Sequence, residues 1–105
     1  MDPYSPNQPA RSEVDGLVGP TLLDFGTNWC GHCRAAQPRI EAALAQHPQV
    51  RHVRIEDGPG RPLGRSFGVK RWPTLVFLRD GQEVARLVRP PDANTISQAL
   101  DQICG

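Results

Sequence analysis

The segment TLLDFGTNWCGHC, residues 21–33, decides how the rest of the chain reads. Thr21 to Phe25 form a short, mostly apolar run between Gly19-Pro20 and Gly26. Such a run fits a strand buried on both faces, as in a parallel sheet covered by helices. Gly26-Thr27-Asn28 is turn and cap material, and a helix is expected from Cys30 to Gln46, with Ala36, Ile40, Ala43 and Leu44 on one stripe. Pro38 lies inside that stripe and is expected to kink the helix rather than end it, because the apolar positions resume in phase beyond it. His47-Pro48 stops the helix. Buried strand, turn and helix together place two cysteines, Cys30 and Cys33, at a helix start.

Outward from that core the punctuation is sharp, with 11 prolines and 10 glycines marking short elements. Val50 to Ile55 reads as a second strand, with Val53 and Ile55 sharing a face. After a Gly/Pro-rich stretch from Gly58 to Pro62, Leu63 and Phe67 pair at i, i+4 on a short helical turn. Thr74 to Leu78 is a strand, Asp80-Gly81 a tight hairpin signal, and Glu83 to Val88 the returning strand. Past Pro90-Pro91, Asp92 or Asn94 caps a final helix whose stripe is Ile96, Ala99, Leu100 and Ile103. Upstream, a short helix is expected over Arg11 to Val18, with Val14, Leu17 and Val18 on one face. Residues 1–10 carry three prolines and no apolar period, so they read as a loose, extended arm, leaving residues 11–105 as a single domain. Strand–helix–strand followed by a hairpin implies an α/β fold with a mixed sheet flanked by helices.

A chain of 105 residues with 38% hydrophobic composition can build one core but not two independent ones. Twelve basic and eleven acidic side chains nearly balance, at a formal net charge of +1. That argues against nucleic acid or an anionic membrane surface as the main partner. Arg51 to Arg71 holds six basic side chains but no interleaved stacking aromatics, so it reads as a solvated face. No apolar run reaches the roughly 18 residues of a membrane span, and residues 1–20 lack the pattern of a secretory signal. A cytoplasmic location is expected. Three cysteines, an odd number, do not read as a disulfide scaffold. Cys104, at i+4 from Leu100, reads as a half-buried small hydrophobe.

The chemistry sits at Trp29-Cys30-Gly31-His32-Cys33. The first-turn amides and the positive end of a helix dipole favour a thiolate at Cys30. Cys33, one turn further in, can reach the same sulfur, so the pair can close and open a small disulfide ring. His32 between them can carry positive charge beside the thiolate. A zinc site is the competing reading, but zinc asks for four ligands and His47, His52 and Cys104 show no matching paired spacing. Asp24 sits among Leu22, Leu23 and Phe25, so burial is expected, and a buried carboxylate needs a purpose.

LLDFGTNWCGHC, a proline five residues after Cys33, and GVKRWPTLVFLRDG at residues 68–81 together resemble the thioredoxin family, from about Thr21 through the last helix. The resemblance implies the thioredoxin fold, with four strands, or five if residues 1–20 supply one. It implies a thiol-disulfide oxidoreductase that works without cofactor or metal, in which Cys30 attacks, Cys33 resolves and Asp24 helps move the proton of Cys33. Pro73 matches the family's proline after a cis peptide bond. Trp72 would lend its backbone to a substrate strand, and Trp29 and Gly31 complete the substrate-binding surface with Trp72 and Pro73. Disulfide-containing proteins would be substrates, a reductase or glutathione the electron donor, and the protein a monomer. The alternative is a redox-switched adaptor on the same fold.

The spacer Gly31-His32 resembles that of protein disulfide isomerase rather than the Gly-Pro of thioredoxin. An imidazole there makes the disulfide a stronger oxidant, with a potential of about −180 to −230 mV, above the ≈ −270 mV of thioredoxin. Gly26 stands where the family carries a second aromatic, which implies a softer floor to the site. Arg89-Pro90 occupies the loop where the family keeps a glycine, and His52 aligns with the family's lysine near the buried acid. On its own residues His52 reads as a polar strand position.

Overall fold

The computed structural model describes residues 2–105; Met1, the first residue of the expected arm, lies outside them. The elements run α1 (Arg11–Asp15), β1 (Pro20–Gly26), α2 (Gly31–Ala45), β2 (Arg51–Glu56), α3 (Pro62–Ser66), β3 (Thr74–Arg79), β4 (Gln82–Val88) and α4 (Ala93–Cys104). Four strands form one mixed sheet in the order β2-β1-β3-β4. β1 pairs parallel with β2 and antiparallel with β3, which pairs antiparallel with β4. α2 supplies the crossover that the parallel pair requires.

The period of β1 explains the layering. Leu22 faces Ala36, Ile40 and Ala43 of α2 and Ile96, Ala99, Leu100 and Ile103 of α4, together with Leu75 and Phe77. Leu23 and Phe25 face the other way, against Val14 of α1, Leu63 of α3, Phe67, Ile55, Val76 and Leu78. Burying one such side chain stabilises by about 1.5–3 kcal/mol, so the two layers carry the fold. They also place Asp24, two residues on from Leu22, on the α2 side of the sheet. Asp80 and Gly81 take φ of 51° and 79°, the pair of left-handed residues that suits a two-residue hairpin turn. Of the two candidate caps for the last helix, Asp92 performs the role, its carboxylate accepting from the Thr95 N–H at 2.8 Å.

Two N-terminal expectations change. α1 stops at Asp15 with Gly16 as its cap, and Val18 is 76% exposed instead of sharing the buried face. Gly16 is a poor helix continuer, and the Gly19 N–H is held by the Asp80 carboxylate at 2.8 Å, which turns the chain toward β1. The arm is extended but not loose. Ser5 forms a parallel bridge to Ile55, with Ser5 N–H donating to Arg54 and Glu56 N–H donating to Ser5. Gln8 binds the Glu56 carbonyl and the Leu63 N–H. One bridging residue on the β2 edge thus stands in place of a fifth strand, and Tyr4 is carried inward to 3% exposure.

Candidate active site

Cys30 is the N-cap of α2, with an extended backbone, and its sulfur accepts from the Cys33 N–H at 3.3 Å. A cap sulfur in that position satisfies one of the helix's unpaired amides. Both cysteines are free thiols and both are buried, Cys33 the more deeply. Burial pushes the Cys33 thiol up to about 12, and the Cys30 sulfur adds to the rise; the Thr27 backbone and the Tyr4 hydroxyl act against it. Cys33 therefore rests as a thiol at neutral pH.

A buried carboxylate lies beneath. Asp24 is fully buried, and its carboxylate is bound from both sides. Oδ1 accepts from the Tyr4 hydroxyl at 2.8 Å, while Oδ2 meets Arg54 Nε at 3.1 Å and His52 Nε2 at 3.0 Å. The β1–β2 register explains the last two contacts. Leu22 pairs with His52 and Asp24 with Arg54, so the polar residues of β2 share the face of the acid while Val53 and Ile55 share the opposite layer. His52 is thus a partner of the buried acid, not only a polar strand position. The Arg54 guanidinium also lies 3.8 Å over the Tyr4 ring, a cation–π contact that fixes the phenol.

Tyr4 was not foreseen, and neither was Arg54. The hole above Gly26 explains why a tyrosine fits there. A Cβ on Gly26 would stand 2.6 Å from the Cys33 sulfur and 2.7 Å from the Tyr4 hydroxyl, closer than any Cβ tolerates. The expected softer floor is instead filled from the arm, and Tyr4, Cys30 and Cys33 form one buried cluster with Trp72 packed against it. Tyr4, Cys33 and Arg54 also border a cavity of about 260 Å³ with Thr27, Asn28 and Gln37.

The rim of the site is aromatic. Trp29 is 71% exposed and meets Trp72 edge-on, ring centroids 5.7 Å apart. The Trp72 indole N–H donates to Asp57 at 2.9 Å, and the Trp72-Pro73 peptide bond is cis. Gly31 and His32 are exposed on the first turn of α2, and His32 makes no hydrogen bond or ion pair among the described residues. Arg89 has φ of 50°, donates from its backbone N–H to the Pro73 carbonyl at 3.0 Å, and donates from Nε to the Trp72 carbonyl at 2.9 Å. Among the described residues no three His, Cys, Asp or Glu side chains converge as metal ligands, and no helix is long and apolar enough to cross a membrane.

The family model described as Thioredoxin matches residues 10–102 of the chain. The thioredoxin of Chlamydia muridarum is 36% identical over 94 residues, which cover 89% of this chain and 88% of that one. Protein disulfide-isomerase A2 of Pongo abelii is 37% identical over 90 residues, 80% of this chain and 17% of that protein. Among solved structures, thioredoxin 2 from Pseudomonas aeruginosa PAO1 in its reduced form superposes with a TM-score of 0.88 at 57% identity, covering 97% of this chain and 94% of the other.

Proposed function

The chain belongs to the thioredoxin family and is a thiol-disulfide oxidoreductase, and from that premise we propose that Cys30 and Cys33 are its reacting couple on protein disulfides. The observation that carries this reading is the Cys30 sulfur capping α2 while accepting from the Cys33 amide at 3.3 Å, two free thiols on one helical turn. Cys30, as thiolate, attacks one sulfur of the substrate disulfide, and the other substrate sulfur leaves as a thiolate. Cys33 then loses its proton and attacks Cys30. The Cys30–Cys33 bond forms, the mixed disulfide breaks, and the substrate is reduced by two electrons as the dithiol is oxidised.

Asp24 takes up the Cys33 proton. It is a buried carboxylate on the strand directly before the active-site turn, which supports that role. His32 places an imidazole in the spacer, exposed on the first turn of α2, where it tunes the couple. Trp29, Gly31, Trp72 and Pro73 receive the substrate strand, the aromatic edge Trp29–Trp72 giving it a surface to lie on. The Gly-His spacer supports a potential above that of thioredoxin, and a flavoprotein reductase or glutathione restores the dithiol. The odd cysteine count and the likeness to bacterial thioredoxins support a reducing cytoplasm as the compartment. Residues 11–105 act as one domain, a monomer, with the arm laid along it.

Insulin reduction tests the reading. With dithiothreitol as donor, the protein accelerates precipitation of the free B chain and Cys30→Ser does not. Equal rates for the two proteins would end the assignment.

A further inference from the structure

We propose that Tyr4, delivered by the N-terminal arm, is the proton relay between Cys33 and Asp24 in the resolving step. The inference rests on Cys33 being the resolving thiol and goes beyond it, because it assigns the proton path to a residue outside the strand–turn–helix motif.

Three observations converge on the Tyr4 hydroxyl. It donates to Asp24 Oδ1 at 2.8 Å, so its proton already points at the acid. It shares the space above Gly26 with the Cys33 sulfur, where a Cβ would stand 2.6 Å from the sulfur and 2.7 Å from the hydroxyl, and it works against the rise of the Cys33 thiol. It is held there from behind by Arg54, whose guanidinium covers the ring at 3.8 Å, and by Tyr4 N–H donating to the Asn28 side chain at 2.8 Å. Burial and the neighbouring Asp24 charge push the phenol well above its ordinary value, so it remains a donor throughout the neutral range. A phenol so placed has its hydrogen toward a carboxylate and shares one buried cluster with the thiol.

The transfer balances. As the Cys33 sulfur attacks Cys30, its proton moves to the Tyr4 oxygen and the Tyr4 proton moves to Asp24. The Cys30–Cys33 bond forms and the substrate sulfur leaves with the bonding pair. Tyr4 ends as a neutral phenol and Asp24 as a neutral acid. When the electron donor later opens the disulfide, the same protons run back and Cys33 is a thiol again. No net charge is left on the phenol in either state.

An aromatic disulfide that releases thionitrobenzoate reads the steps separately. The first coloured thiolate reports attack by Cys30 and the second reports resolution by Cys33. Tyr4→Phe keeps the ring between Arg54 and Gly26 and removes the relay oxygen. We expect its first phase to match wild type and its second to slow about tenfold, less than the roughly 100-fold typical of losing a general base outright. Its second phase should also need a more alkaline pH. Asp24→Asn should slow the same phase, and Tyr4→Phe should add nothing on top of it. In wild type, the second-phase rate plotted against deuterium fraction should curve, because two protons move together. An unchanged second phase in Tyr4→Phe, equal slowing of both phases, additive effects with Asp24→Asn, or a straight deuterium plot would each overturn the relay. Insulin reduction by the wild-type protein is untouched by any of these results, so the relay and the reductase assignment fail separately.

Discussion

Arg89 Nε donates to the carbonyl oxygen of Trp72 at 2.9 Å, across the loop that precedes α4. Its backbone at φ 50° is in the left-handed region, which costs a residue with a Cβ about 1 kcal/mol or more. The loop thereby places an arginine where the family keeps a glycine, and its side chain covers a backbone acceptor next to the cis Pro73. A strand pairing with that edge must displace the guanidinium.

Arg89→Gly therefore should lower KM for a protein disulfide and leave kcat alone. One exposed hydrogen bond is worth about 1 kcal/mol net, which converts to roughly fivefold in affinity. Insulin kinetics under saturating donor make the comparison. An unchanged KM in Arg89→Gly would mean that the guanidinium does not obstruct docking, and a higher one that it assists.

The spacer carries the next expectation. His32 is the second residue of α2, where a backbone N–H has no intrahelical partner, so proline can stand there without breaking the helix. His32→Pro removes the imidazole from the spacer while leaving the Cys30–Cys33 geometry. The potential should move toward the ≈ −270 mV of thioredoxin. Redox titration against glutathione measures it, and an unmoved potential would show that the imidazole has no part in setting it.

What the sequence made legible, and what it hid, divides along sequence distance. β1, α2, the β3–β4 hairpin and α4 were readable because each is specified by a local period bounded by Gly, Pro or a cap: Asp80-Gly81 for the hairpin, Asp92 for α4. The cysteine pair was readable for the same reason. Of the floor of the site, Asp24 was readable from its apolar neighbours, but its full set of partners was not. Tyr4, Asp24, His52 and Arg54 lie on three separate segments, and they meet only through the parallel β1–β2 register and the arm bridge at Ser5. The alternation of His52 and Arg54 with Val53 and Ile55 did contain the signal, since a parallel neighbour of Asp24 had to present its polar residues to the acid. Nothing local marked Tyr4, a lone aromatic in a proline-rich stretch, and only the bare Gly26 opposite hinted that a side chain had to arrive from elsewhere.

A second ionisable contact ties α2 and α4, the two helices packed on one face of the sheet. His47, just past α2, binds the Ala43 carbonyl through Nδ1 at 2.9 Å and the Asp101 carboxylate of α4 through Nε2 at 2.7 Å. The carbonyl first, and the carboxylate after it, raise the imidazole above its usual value. Because the raised value belongs to the folded state, this stabilisation is present in full below the ordinary histidine range near 6.5 and is lost as pH climbs through the native value. Urea midpoints should therefore fall between about pH 6 and pH 8 in wild type and change less in His47→Gln. Parallel pH profiles for the two proteins would remove His47 as the cause.

Gly26→Ala tests the packing on which the site floor depends. The new methyl group would lie 2.6 Å from the Cys33 sulfur and 2.7 Å from the Tyr4 ring and hydroxyl, so one of them must move. Cys33 is fixed by the first turn of α2, whereas Tyr4 sits on an arm held by a single bridge and a few side-chain bonds. The arm should yield. Overpacking of this kind costs about 1–3 kcal/mol, and amide exchange at Ser5 and Glu56, which form the bridge, should quicken. Tyr4→Ala vacates the contested space, so the double variant should lose less stability than the two single losses together. Urea unfolding of the four proteins completes the cycle. Additive losses, or a Gly26→Ala cost below about 0.5 kcal/mol, would mean that the glycine and the tyrosine do not share that volume.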